Sequence, residues 1–148
     1  MALRDRIKDH EGLRLKAYQD TKGVWTIGYG HTGQEVKEGL VWALQMAEDT
    51  LTADIKLATF CCSARFNWFD GLDQDRQDAL VELCFNMGIG RLGPPAHGLL
   101  SFTHMLASMQ AGNFEEAADQ LLASKWDEDV GADRANAVAD LIRGTKGN

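Results

Sequence analysis

Residues 15–31 constrain the fold more than any other stretch of this chain. They read Leu15-Lys-Ala-Tyr-Gln-Asp-Thr-Lys-Gly-Val-Trp-Thr-Ile-Gly-Tyr-Gly-His31. Aromatic and β-branched residues flank Thr21-Lys22-Gly23, the signature of two short strands joined by a turn. Almost everything else is helical in pattern. Residues 2–11 form a short amphipathic stretch with Leu3, Ile7 and Glu11 on one stripe and Gly12 as a stop. From about residue 40 the 3.6-residue period runs nearly to the end. It predicts helices at about 40–59, from Asp73 to Met87, around 99–111, from a capping box at Asn113 and Glu116, and at about 133–143. Gly88–Pro95, with its Pro-Pro pair, must be a loop. The expected class is therefore α+β and mostly α, with one small antiparallel hairpin near the N-terminus.

Composition narrows the function. Fifteen basic against 22 acidic side chains leave a formal charge of −7. No basic face is available for nucleic acid, and long-range attraction to an anionic membrane or wall polymer is disfavoured. The acidic clusters at Asp70–Asp78, Glu115–Asp119 and Asp127–Asp133 read as solvated faces and loops. Cys61, Cys62 and Cys84 are odd in number and two are adjacent, which is no disulfide framework. It suits synthesis in a reducing cytosol. His10, His31, His97 and His104 lack metal-ligand spacing, so neither metal nor cofactor is expected. No signal peptide or membrane span is apparent, which predicts a cytoplasmic product.

Glu11 is an unusual residue for its place. Its stripe points it inward, and it sits in the last turn of a helix, where the macrodipole is negative. Both effects favour a neutral carboxyl. The competing reading is a glutamate at a frayed helix end, reaching into water. The hairpin supplies a second group. With a Thr21-Lys22-Gly23 loop, Tyr18 opposes Thr26, and Asp20 becomes its diagonal neighbour on the same face. A diagonal separation of roughly 7–8 Å leaves room for a water between carboxylate and hydroxyl. An acid on one side of a bond and a held water on the other is the equipment of an inverting glycosidase. Carboxyls about 5 Å apart would instead indicate retention, and the outcome stays open. Ordinary turn chemistry before Thr-Lys-Gly also accounts for Asp20 alone.

Taken together, Glu11, Asp20 and Thr26 have the Glu-x8-Asp-x5-Thr spacing of the phage-type lysozymes, the endolysin muramidases. The chain resembles that family in Glu11-Gly-Leu-Arg-Leu-Lys-Ala-Tyr and in Asp20-Thr-Lys-Gly-Val-Trp-Thr-Ile-Gly-Tyr-Gly-His31-Thr. It does so again in Phe85-Asn-Met-Gly88 and in Ser124-Lys-Trp126 with Arg134 eight residues later. The resemblance implies a lysozyme-like two-lobed fold: a hairpin subdomain at about 13–39, an interlobe helix at about 40–59, and a helical lobe at about 60–148 that includes the N-terminal helix 2–11. It implies a cleft between the lobes and cleavage of the β-1,4 bond from N-acetylmuramic acid to N-acetylglucosamine in peptidoglycan. Glu11 would be the proton donor. Asp20 would orient or deprotonate water, or stabilise the oxocarbenium-like centre, and Thr26 would hold that water.

Further positions follow from the same resemblance. Phe85 would line the sugar site, and Thr32 occupies a sugar-contacting position with a different residue type. Arg134 would pair with the catalytic glutamate and favour its ionised form, while His31 would pair with an aspartate of the long helix, expected to be Asp54. Trp25, Trp42, Trp68 and Trp126 could serve as sugar platforms, but most of them are expected in packing. The loop from Gly88 through Gly98 looks longer than in compact members and is expected to reshape one edge of the cleft. The acidic charge departs from many basic relatives. The implied partners are peptidoglycan glycan strands and a holin that opens the inner membrane, with the chain a monomer that acts in the periplasm. Two competing readings are a lytic transglycosylase acting on the same bond and a wall-binding component of a phage particle.

Overall fold

The computed structural model describes residues 2–144. The expected lobe limit at residue 148 therefore lies outside the described residues. Among them are seven α-helices and one three-stranded antiparallel sheet. The chain divides into two compact units, with the boundary between Leu57 and Ala58.

The first unit begins with α1, Leu3–Glu11, which Gly12 ends at φ +71. Strands β1 (Arg14–Gln19), β2 (Trp25–Gly28) and β3 (His31–Thr32) follow in the order β1-β2-β3. Tyr18 pairs with Thr26 and Gln19 with Trp25, the register that a three-residue loop requires. The turn closes through the Gly23 N–H on the Asp20 carbonyl and the Asp20 N–H on the Val24 carbonyl, both at 2.9 Å. A two-residue strand carries no readable period, which is why β3 is not evident from sequence.

The long helix α2 spans Leu44–Arg65, so it starts later and ends later than the 40–59 expected. Its start is delayed because residues 40–42 are taken by the sheet. The Ala17 N–H bonds the Leu40 carbonyl at 2.9 Å and the Trp42 N–H bonds the Leu15 carbonyl at 2.8 Å. Its end is extended because Thr59–Arg65 contains no glycine or proline to stop it. N-terminal to the unit boundary, α2 supplies Glu48, which gathers the unit. Its carboxylate accepts from Arg4 at 2.9 Å, Lys8 at 3.0 Å and the Tyr29 hydroxyl at 2.7 Å. Helix α1 and the hairpin both fall in this first unit. Hydrogen bonds from Arg4, then Tyr29 and Lys8, draw the Glu48 carboxyl down to about 2.

The second unit holds the C-terminal part of α2 with α3 (Gln74–Met87), α4 (Thr103–Gln110), α5 (Phe114–Leu122), α6 (Lys125–Val130) and α7 (Ala132–Arg143). Helix α3 is its centre: Ala79, Leu80, Val81, Glu82, Leu83 and Cys84 are buried in an unbroken run. Such a helix is enclosed on all sides rather than amphipathic. The single helix expected at 99–111 is instead a 3-10 turn, Leu99–Ser101, then α4, with Phe102 between them at ψ 57. Gly98 at φ +70 sets that turn, and the Ser101 hydroxyl donates back to its carbonyl at 2.7 Å. The capping box at Asn113 is also corrected. Asn113 precedes α5 but makes no side-chain cap, because its backbone at ψ 69 is not the extended form that aims a cap. Helix α6 is absent from the sequence reading, although Ser124 before it and Gly131 after it are its start and stop signals. Cys61, Cys62 and Cys84 are all free thiols.

Arg76 closes the C-terminus of α7. Its guanidinium donates to the Ile142 carbonyl at 2.6 Å and the Arg143 carbonyl at 2.8 Å, and lies 4.0 Å above the Phe114 ring. These carbonyls have no partner within the helix, so the cation satisfies orphan acceptors. Arg76→Met is expected to cost about 2 kcal/mol, the range for hydrogen bonds to a charged group, read as a lower midpoint in urea unfolding.

Candidate active site

Glu11 is the last residue of α1, and its carboxyl lies against the backbone of Gly30 in the turn between β2 and β3. A Cβ on Gly30 would stand 2.5 Å from Glu11 Oε1 and 2.8 Å from its Cδ. Gly30 is also at φ +74, where side-chain-bearing residues are strained. Two independent features thus favour glycine here, and one of them is the glutamate itself, whose carboxyl would have to shift for any side chain. Glu11 is half-buried rather than enclosed.

Asp20 is held by the hairpin turn. Its Oδ1 accepts the N–H of Lys22 at 2.8 Å and of Val24 at 2.9 Å. The sequence Asp-Thr-Lys-Gly produces this because a short acceptor at the first turn position reaches the N–H two residues on. No hydrogen bond occupies Oδ2 among the described residues, so a fixed carboxylate keeps one acceptor for a ligand or water. Thr26 lies on β2 and is only 4% exposed. Its hydroxyl proton goes to the Val24 carbonyl at 2.9 Å, which leaves the oxygen lone pairs as acceptors. Glu11, Asp20 and Thr26 all belong to the first unit.

His31 and Asp54 meet directly. His31 Nδ1 is 2.7 Å from Asp54 Oδ2, and its Nε2 is 2.9 Å from Glu35 Oε2. The hydrogen bond to Asp54 raises the imidazole to about 9; desolvation opposes this and Glu35 adds to it. His31 is therefore an imidazolium at neutral pH, bridging the β2–β3 region to α2. Its ring also lies 5.6 Å from Trp42. Glu35 was not evident as a partner from sequence, although its i+4 distance from a histidine was a readable signal. Thr32 is exposed at the end of β3.

Two expected residues lie in the second unit. Phe85 is half-buried on α3. Arg134 sits on α7 with its Nε 3.6 Å from Oε2 of Glu82, a carboxylate with no exposed surface. A charge buried that completely is costly without a countercharge, which Arg134 provides. Glu82 escaped the sequence reading because it continues the stripe of Asp75 and Asp78, which reads as a solvated face. Trp42 and Trp126 are buried, and the Trp126 indole N–H donates to Asn86 at 2.9 Å. Trp25 and Trp68 keep part of their surface exposed.

The model of the phage lysozyme family matches residues 8–143. The chain is similar to the endolysin of Bacillus phage B103, at 34% identity over 84% of this chain and 44% of that protein. It is similar to the endolysin of Salmonella phage P22, at 32% identity over 81% of this chain and 78% of that one. It also resembles the pre-baseplate central spike protein Gp5 of Enterobacteria phage T4, at 29% identity over 96% of this chain and 28% of the spike protein. The chain thus spans less than half the length of the first of these relatives and most of the second.

Two outcomes follow from this geometry. Gly30→Ala forces the Glu11 carboxyl aside and strains the turn. We expect a loss of about 1 kcal/mol of stability and, on any substrate that Glu11 serves, a fall in kcat on the order of 100-fold, both measured on purified protein. For His31, the proton affinity in the fold, about 9, exceeds the unfolded value of 6.5. Its stabilising contribution is full below pH 6.5 and disappears as pH rises through 9. His31→Asn should then be about 2 kcal/mol less stable than the parent at pH 6, with the gap closing by pH 9.5, in denaturant unfolding across pH.

Proposed function

Because the chain belongs to the phage lysozyme family, we propose that it is an endolysin-type muramidase with Glu11 as the proton donor. It hydrolyses the β-1,4 bond between N-acetylmuramic acid and N-acetylglucosamine in peptidoglycan. One observation carries the residue assignment: Glu11 is seated on Gly30 in the same unit that fixes Asp20 by two backbone N–H groups.

Glu11 gives its proton to the glycosidic oxygen as the bond to the sugar breaks. Asp20 Oδ2 accepts a hydrogen bond from the attacking water and takes up its proton or balances the positive charge at the sugar carbon. The Thr26 oxygen accepts from the same water. Neither group has to reorganise at the moment of reaction, since Oδ1 of Asp20 is already tied to the turn. Thr32 and Phe85 contact the sugar chain. His31 and Asp54 hold the β2–β3 end in place, and Arg134 neutralises Glu82 on the helix that carries Phe85. Hydrolysis, rather than internal attack to an anhydro sugar, is favoured because only hydrolysis uses a held water.

Among the described residues no helix is long and apolar enough to cross a membrane. Access to peptidoglycan in the periplasm then falls to a holin that opens the inner membrane, with the enzyme acting as a monomer.

The test is digestion of purified sacculi by the parent and by Glu11→Gln, with fragments identified by mass spectrometry. We expect fragments with reducing-end muramic acid from the parent and a loss of at least 1,000-fold in the variant, the magnitude of a general acid's share with its positioning. Fragments lighter by one water would identify a transglycosylase. Binding of sacculi by both proteins with no release would identify a wall-binding component.

A further inference from the structure

We infer that the second unit carries an additional glycan-binding groove, built from the C-terminal end of α2, the 88–98 loop and α4. The inference rests on the reading that peptidoglycan is the substrate. None of the groove's residues belongs to the set of Glu11, Asp20, Thr26, Thr32 and Phe85.

An open cavity of about 510 Å³ lies there, lined among others by Arg65, Phe66, Asn67, Trp68, Leu92 and Gln110. That volume suits a small ligand or a short length of polymer. Phe66 and Trp68 stack with ring centroids 5.0 Å apart and planes 27° from parallel. Phe66 is 7% exposed, so it is the inner ring of the pair, and Trp68 is the half-buried outer one. The stack fixes the indole plane at the groove. Among the described residues, the indole N–H of Trp68 and the side chains of Arg65, Asn67 and Gln110 make no hydrogen bond. Trp126, by contrast, spends its N–H on Asn86.

The remaining wall is rigid. Leu92 projects from a loop that closes on itself through Arg91 N–H to the His97 carbonyl at 3.0 Å, His97 N–H to the Arg91 carbonyl at 3.1 Å, and the Arg91 guanidinium to the Pro94 carbonyl at 2.9 Å. This is where the loop, expected from sequence to reshape a cleft edge, contributes a surface.

The chemistry selects a carbohydrate. A fixed indole offers its face to the C–H side of a sugar ring and its N–H to a hydroxyl. Two amides and a guanidinium supply planar donors and acceptors for hydroxyl and acetamido groups. Charge points the same way. The chain carries −7, yet among the described residues the groove is lined by no carboxylate, and Arg65 is the one ionised residue there. A wall glycan, whose charges are carboxylates on its lactyl and peptidyl groups, meets a cation here on a protein that otherwise repels it. The groove therefore retains the enzyme on the polymer between cleavages.

The experiment uses the full chain with Glu11→Gln, labelled with nitrogen-15 and titrated with the N-acetylglucosamine tetramer. We expect the Trp68 indole N–H to shift saturably, and Arg65→Glu with Gln110→Ala in the same background to weaken that titration at least ten-fold. Leu92→Asp, at an exposed position, is the second variant and should weaken it likewise. With Glu11 intact, Arg65→Glu should keep its turnover of short soluble glycan and lose about ten-fold in turnover of whole sacculi. A Trp68 signal unmoved at millimolar tetramer overturns the inference. So does equal titration of folded variants and parent, or a shift produced only by stem peptides freed from sacculi by an amidase. Should the Glu11-intact chain cleave nothing while Trp68 still titrates, the groove stands and the muramidase reading falls.

Discussion

Three donors from two elements converge on one carboxylate, Glu48, and the geometry of the first unit depends on it. Arg4 and Lys8 come from successive turns of α1, and Tyr29 comes from the turn after β2. Arg4 also bonds the Glu48 carbonyl at 3.0 Å and Thr52 at 2.8 Å, so α1 is fixed along α2 as well as toward it. With the helix held at Arg4 and Lys8, its last residue has little freedom. Glu11 can only end where Gly30 makes room for it. The Glu11 carboxyl is placed by a charge network one turn and two turns behind it, which water reaches but which a rigid helix transmits.

The second unit solves a different problem. Its central helix is buried on every side, and it nonetheless carries Glu82. Arg134 supplies the countercharge from α7, and Arg76 on α3 in turn caps the far end of α7. The two helices are thus tied at both ends by guanidinium groups, between which Val138, Ala139 and Ile142 are fully buried. Apolar burial supplies the bulk of the stability here, and the two arginines set the register of the helices.

Much of this was legible in the sequence, for reasons that differ by residue. The hairpin register could be read because turn chemistry at Asp20–Gly23 admits few alternatives and side chains alternate strictly. Glu11, Asp20 and Thr26 stood out by spacing, and their local geometry follows from helix end, turn and strand. The long helix was misjudged at both ends because residues 40–42 pair with β1, a tertiary event that no local pattern encodes. The capping box at Asn113 had the right letters and the wrong backbone angle. Glu82 and Glu48 were invisible for a shared reason: a glutamate looks the same in sequence whether it faces water or a cation. The groove beside the Phe66–Trp68 stack lies beyond sequence, since Leu92 and Gln110, which line it, come from elements far along the chain.

The seat of Glu11 on Gly30 has an evolutionary consequence. Position 30 is constrained twice, by its positive φ and by the carboxyl that fills its side-chain space. Only the second constraint depends on position 11. A lineage that shortened or lost the glutamate would release the steric part while the backbone part remained. Substitutions at the two sites are therefore coupled: a shorter residue at position 11 makes room for asparagine at position 30, which tolerates a left-handed backbone, whereas asparagine beside the intact glutamate has to displace its carboxyl.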